Sequence, residues 1–102
     1  MRTVSLNPYK CASSDRYGAI RNGFIQSHRG EEQELSRAEE RVLRAPTSHG
    51  SAIPRCDHVF HCGFHGRYAL AYKVYEGSKV VEFLWVGPKR AIFELSDEYS
   101  IH

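Results

Sequence analysis

The 102 residues leave room for one hydrophobic core and exclude a second domain. Hydrophobic residues at 41% and charged residues at 25% exclude wholesale disorder, and a formal net charge of +2 excludes the strong positive field of a protein that coats bare DNA. No apolar run reaches the length of a membrane span and the opening residues MRTVSLNPYK lack a signal-peptide core, so the expectation is a cytoplasmic protein with no membrane partner.

In chain order, residues 3–6 alternate weakly and stop at Asn7-Pro8, which predicts a short first strand. Ser13, Ser14 and Asp15 offer N-cap oxygens ahead of Tyr17, Ile20 and Phe24, a stripe at helical spacing that predicts a helix over 15–27. His28-Arg29-Gly30 reads as its end. Residues 31–44 carry the clearest helical pattern. Acids crowd the first turn, Arg41 and Arg44 occupy the last, and Leu35, Ala38 and Val42 form a narrow apolar stripe. Pro46 closes it, and the Ser-, Thr-, Gly- and Pro-containing stretch 45–54 reads as a loop.

Residues 58–64 are dense in aromatic and imidazole groups, and Gly63 and Gly66 flank an expected tight turn. Over 67–75 the chain alternates, with Tyr68, Leu70, Tyr72 and Val74 on one face and Arg67, Ala69, Ala71 and Lys73 on the other. Glu76-Gly77-Ser78 predicts a hairpin loop, and residues 79–86 a central strand broken by Gly87-Pro88. A last short strand is expected over 91–95. The predicted fold class is α+β: a short N-terminal strand and two helices packed on a C-terminal antiparallel sheet of three to four strands, all in one domain, 1–102. Such packing leaves the far face of the sheet open to a partner.

Chemistry-bearing residue types concentrate in the sheet half. Cys56, His58, His61, Cys62 and His65 have the donor chemistry of a zinc site, although their spacing spreads them over both faces of a strand and no C-x-x-C accompanies them. Three cysteines are too few for a disulfide framework and are expected to be reduced; Cys62 near His58 and His61 is one nucleophile candidate. The other reading is acid–base chemistry on a phosphate, with His61, His65, Arg67, Lys89 and Arg90 gathered on the exposed face and rim of the sheet. From Arg55 to Arg90 there are six cations (Arg55, Arg67, Lys73, Lys79, Lys89, Arg90) against three acids (Asp57, Glu76, Glu82), so this half is the better phosphate binder.

Residues 65–76 (HGRYALAYKVYE) and 79–90 (KVVEFLWVGPKR) resemble the C-terminal half of the RelE/ParE toxin superfamily, in particular its RelE- and YafQ-like branches. Those proteins carry a tyrosine-rich "Y-x-L-x-Y-x-V" strand, a turn, a "K-V-V" strand and "V-G" followed by basic residues. The resemblance implies a RelE-like fold, an antitoxin protein as partner, and a ribonuclease that cleaves mRNA at the ribosome with no metal or other cofactor. The RNA's own 2′-hydroxyl is then the nucleophile. Carried onto this chain, the resemblance makes His61, His65, Lys89 and Arg90 the catalytic candidates, and Arg67, Lys73 and Phe93 the RNA-binding ones, Phe93 by stacking on a base. Many members place an arginine directly after the first tyrosine of the third strand. Here that position is Ala69, and Arg67 shares its face about 7 Å away in an ideal strand. The alternative implied by the same resemblance is a non-enzymatic module that blocks a protein target such as a topoisomerase.

Overall fold

A computed structural model describes residues 9–92 and 94. Its elements run β1 (Lys10–Ser13), α1 (Asp15–Ser27), a single 3-10 turn (Arg29–Glu31), α2 (Glu32–Arg44), β2 (Ser51–Ala52), β3 (Val59–Phe64), β4 (Tyr68–Tyr75), β5 (Val80–Pro88) and a second 3-10 turn (Lys89–Ala91). The five strands form one sheet in the order β1-β5-β4-β3-β2, with β1 parallel to β5 and every other neighbour antiparallel. The architecture is α+β as expected, but the sheet is mixed and has five strands rather than three or four.

Local chemistry explains the helices. The Ser14 hydroxyl accepts the Tyr17 N–H at 3.1 Å and caps α1. At its other end the N–H of His28 reaches back to Phe24 O and Ile25 O. Helix α2 carries Glu32 and Glu34 in its first turn and Arg41 and Arg44 in its last, each sign complementing the adjacent end of the helix dipole. Glu31, expected inside this helix, closes the 3-10 turn before it. A salt bridge joins the two helices: Arg21 Nε lies 2.9 Å from Glu39 Oε2, and the Tyr17 hydroxyl donates to the same carboxylate.

The main core lies between the helices and one face of the sheet. Tyr17 and Phe24 of α1 and Leu35, Ala38 and Val42 of α2 meet Cys62 and Phe64 of β3, Leu70, Tyr72 and Val74 of β4, and Val81, Phe83 and Val86 of β5. Strand β5 does not keep simple alternation. Ala71 pairs with Trp85 but Tyr72 with Phe83, so Leu84 is an extra residue, a β-bulge. The bulge moves Trp85 to the far face and returns Val86 to the core.

Four sequence expectations change here. The strand predicted over 3–6 lies outside the described residues, whereas β1 forms at Lys10–Ser13, where the sequence shows no alternation. Strand β2 occupies two residues of the expected loop, paired with Phe60 and His61. Gly87-Pro88 does not break β5: Pro88 pairs with Tyr68, and its missing N–H is tolerated because β1 covers β5 only from Val80 to Phe83. Beyond it, Lys89–Ala91 forms a 3-10 turn and Ile92 is helical, not a strand, since Pro88 ends the pairing and its extended backbone leads straight into the turn.

The far face of the sheet is not bare either. Ile53, Val59, Ala69, Ala71 and Ile92 form a second apolar cluster there, flanked by Cys56, Leu84 and Trp85. The loop before β3 and the turn after β5 fold over the small residues of β4 and cover them. Among the described residues no helix is long and apolar enough to cross a membrane.

Burial holds the hydroxyls of Tyr17 and Tyr72 well above the usual tyrosine range, with Glu39 adding to the first and Cys62 to the second. A raised folded-state pKa stabilises the fold fully below the unfolded value of about 10, and that contribution is lost as pH rises past it. Urea unfolding at about pH 8 and about pH 11 should show this alkaline loss, and Tyr17→Phe should reduce it while lowering neutral-pH stability by about 1–3 kcal/mol. An equal alkaline loss in Tyr17→Phe would remove Tyr17 from this account.

Candidate active site

The site grows from one end of the sheet. Strand β3 ends at Phe64, and His65 (φ +54°) and Gly66 (φ +73°) take left-handed backbone conformations that turn the chain sharply into β4. The turn carries Arg67 beside the end of β5, and the Lys89 N–H donates to the Arg67 carbonyl at 2.8 Å. Arg67, Lys89 and Arg90 are thereby brought together. With His28, Tyr68 and Pro88 they line an open cleft of ≈ 660 Å³. Among the described residues that line it, none carries a carboxylate.

His28 gave no signal in the sequence beyond marking a helix end. In the structure it is the C-cap of α1 and sits against the start of β4. Its Nδ1 is 3.0 Å from the Phe24 carbonyl. The ring stacks on Phe24 at 4.5 Å between centroids and meets the Tyr68 ring edge-on at 5.0 Å. Only the ring contact of α1 with β4, some forty residues on, makes it a cleft residue, so no local spacing rule could have found it.

The histidine candidates are divided. His65 leaves the face predicted for it because its positive φ rotates the chain after β3 ends. Its Nδ1 lies 3.1 Å from Glu31 Oε2, and its ring stacks on Tyr68 at 6.3 Å. His61 stays on β3, paired with Ala71, and faces the far side with Gly63 and Ala69. Gly63 matters because its missing side chain leaves room for Lys89. A Cβ there would lie 3.1 Å from Lys89 Cε and 3.2 Å from Nζ. The lysine stem therefore lies across β3, and Lys89 links the cleft to the His61 row. Burial lowers the pKa of His61, and the Lys89 ammonium lowers it further; both favour the neutral imidazole.

Other candidates are placed elsewhere. Lys73 sits at the opposite end of β4, roughly 16 Å along the strand from Tyr68, with its ammonium 5.3 Å from the Tyr75 ring centroid. Phe93 lies outside the described residues. Ala69 is fully buried beneath the far-side cluster, so a long cation at that position has no open path. The thiols do not converge. Cys62 belongs to the helix-side core while Cys56 packs against the far-side cluster, and among the described residues no three His, Cys, Asp or Glu side chains form a metal-binding group. Cys62 is buried, with its sulfur 3.7 Å from the Gly63 carbonyl oxygen, which leaves no access for a nucleophile's substrate.

The order of elements and the mixed sheet define a RelE-like fold. Among solved structures the chain is similar to the toxin–antitoxin complex RelBE2 from Mycobacterium tuberculosis, with a TM-score of 0.62 and 17% identity, over 83% of this chain and 95% of that one. No family model matches the chain, and no curated protein does.

Because Lys89 is the smaller of the two causes that depress His61, Lys89→Met should raise the His61 titration midpoint without restoring it to the ordinary histidine value. Proton NMR titration of the imidazole signals measures this. No movement would place the ammonium away from His61 in solution.

Proposed function

We propose that this chain is the toxin of a toxin–antitoxin pair and acts as a ribonuclease on mRNA at the ribosome. The observation that carries the reading is the convergence of Arg67, Lys89 and Arg90 on one cleft that is lined, among the described residues, by no acid. A phosphodiester gains negative charge as its phosphorus becomes five-coordinate, and preorganised cations stabilise that charge most where water is partly excluded. The likeness in fold to a chain of the RelBE2 complex supports an antitoxin partner.

In this reading the RNA 2′-oxygen bonds to the adjacent phosphorus and the P–O5′ bond breaks, its electron pair passing to O5′. The products are a 2′,3′-cyclic phosphate and a 5′-hydroxyl end. Lys89 and Arg90 neutralise the non-bridging oxygens, and Arg67 holds a neighbouring phosphate. His65, acting as the imidazolium with its Nδ1–H on Glu31 Oε2, delivers its Nε2 proton to O5′. Tyr68 offers a partly exposed ring for a base to stack on. His61 and Lys73 are RNA contacts outside this cleft, and Phe93 stacks on a base.

One observation favours a second reading. Ala69 supplies no cation where many relatives in the superfamily hold arginine, and it is sealed by apolar cover. That suits a non-enzymatic module that blocks a topoisomerase-type target.

Purified protein added to translating ribosomes should cut mRNA, read as new 5′ ends by primer extension. Lys89→Ala and His65→Ala should each slow cutting by about 10²–10³-fold. No cutting by the unmodified protein, together with inhibition of topoisomerase supercoiling, would replace this reading with the second.

A further inference from the structure

We propose that His28 is the catalytic base of the cleft, the group that takes the proton from the RNA 2′-hydroxyl; the proposal rests on the ribonuclease reading above. A carbonyl oxygen only accepts hydrogen bonds. The 3.0 Å contact with Phe24 O therefore places the ring proton on Nδ1 and leaves Nε2 of the neutral imidazole as an unprotonated acceptor. A general base needs that tautomer.

The ring is also held in place. Phe24 stacks on it at 17° between planes, and Tyr68 closes on it at 72° from β4. A clamped imidazole loses little entropy on reaching a near-attack arrangement, and small displacements of a catalytic group are costly. The clamp sits in the wall of the cleft that holds the three cations.

The other histidines are less suited to the task. His61 projects from the far face of the sheet, and His65, paired with Glu31 on the other side of Tyr68, is not among the residues that line the cleft. His28 and His65 flank the same tyrosine, His28 edge-on and His65 stacked. One accepts the 2′-hydroxyl proton through Nε2 as the 2′-oxygen bonds to phosphorus. The other gives a proton to O5′ as the P–O5′ bond breaks, so protons and electrons balance. The imidazolium formed at His28 lies at the C-terminus of α1, where the helix carbonyls favour positive charge.

Several charged or titratable groups surround this proton transfer. Arg67 faces it from the β3–β4 turn, Lys89 and Arg90 from the turn after β5, and Tyr68 from β4. The His65–Glu31 pair lies beyond Tyr68, and Arg29 follows His28 in the chain.

The test uses His28→Asn, whose amide can still donate to the Phe24 carbonyl but has no atom at Nε2. On translating ribosomes the variant should cut mRNA about 10²–10⁴-fold more slowly and lose the acidic limb of the pH–rate profile. Its affinity for an RNA oligonucleotide with a 2′-deoxy cleavage position should stay within about threefold, and its melting curve should stay cooperative. Nitrogen-15 NMR of the unmodified protein should report protonated Nδ1 and bare Nε2 at His28. Cutting within about threefold of the unmodified rate, an unchanged acidic limb, or an Nε2–H tautomer would overturn the assignment. If the unmodified protein cuts no mRNA, the ribonuclease reading falls and the base with it; if it cuts and His28→Asn cuts equally well, only the base falls.

Discussion

Strand β4 is paired along its length with β3 on one side and β5 on the other, and the rest of the site depends on that double register. At its first residue, Tyr68, the ladder places Phe64 and Pro88 on either side. The β3–β4 turn and the end of β5 are therefore neighbours although they are far apart in sequence. The hydrogen bond from Lys89 to the Arg67 carbonyl closes the arrangement. Because a register shift of one residue would exchange the faces of every β4 side chain, the buried ring of Tyr72 and the exposed cations at the strand's end are set by the same pairing.

The bulge at Leu84 decides where chemistry is left over. Without it, Trp85 would continue the Val81–Phe83 face and compete with α1 for the core. With it, Trp85 lies over Gly87, where a Cβ would come within 2.5 Å of the indole, and joins Ile53 and Ile92 in covering the centre of the far face. The middle of the sheet is thus apolar on both sides. Polar work is confined to its end, where the cleft opens, and to the His61 row that Lys89 reaches across Gly63.

Both helices, the alternation of β4 and the existence of β5 were legible because each is a local pattern: Ser14 as a cap, the charge gradient of α2, the tyrosine-rich repeat of β4. Strand β1 was not. Lys10, Cys11, Ala12 and Ser13 show no alternation, and they form a strand only because β5 offers a parallel edge. The C-terminal misreading has a similar origin, since Ile92 suits a strand by composition yet Pro88 has already ended the ladder. Among site residues, the basic pair after Gly87 and Arg67 could be marked by type and resemblance. The divergence of His61 and His65 could not, because it turns on one left-handed residue, and neither could His28, whose place is defined by rings from distant segments.

Net charge is a poor guide to this protein because its charges are distributed by pairing. Glu39 is engaged by Arg21, Glu34 by Arg37, Glu76 by Lys79 and Glu31 by His65. These pairs engage four of the twelve acids, and the Glu31–His65 pair stands beside Tyr68 at the edge of the cleft. Among the described residues, Arg67, Lys89 and Arg90 form no ion pair, so the field at the cleft is positive although the molecule is nearly neutral. A local field suffices for a phosphodiester held at one point, since cations several ångströms away act strongly while those beyond a Debye length of about 8–10 Å are screened. The acidic α2, which argues against electrostatic capture of RNA over a broad surface, is therefore compatible with recognition confined to the sheet's end. Under the ribonuclease proposal, approach to a large RNA assembly would rely on shape and stacking at Tyr68 more than on steering by total charge.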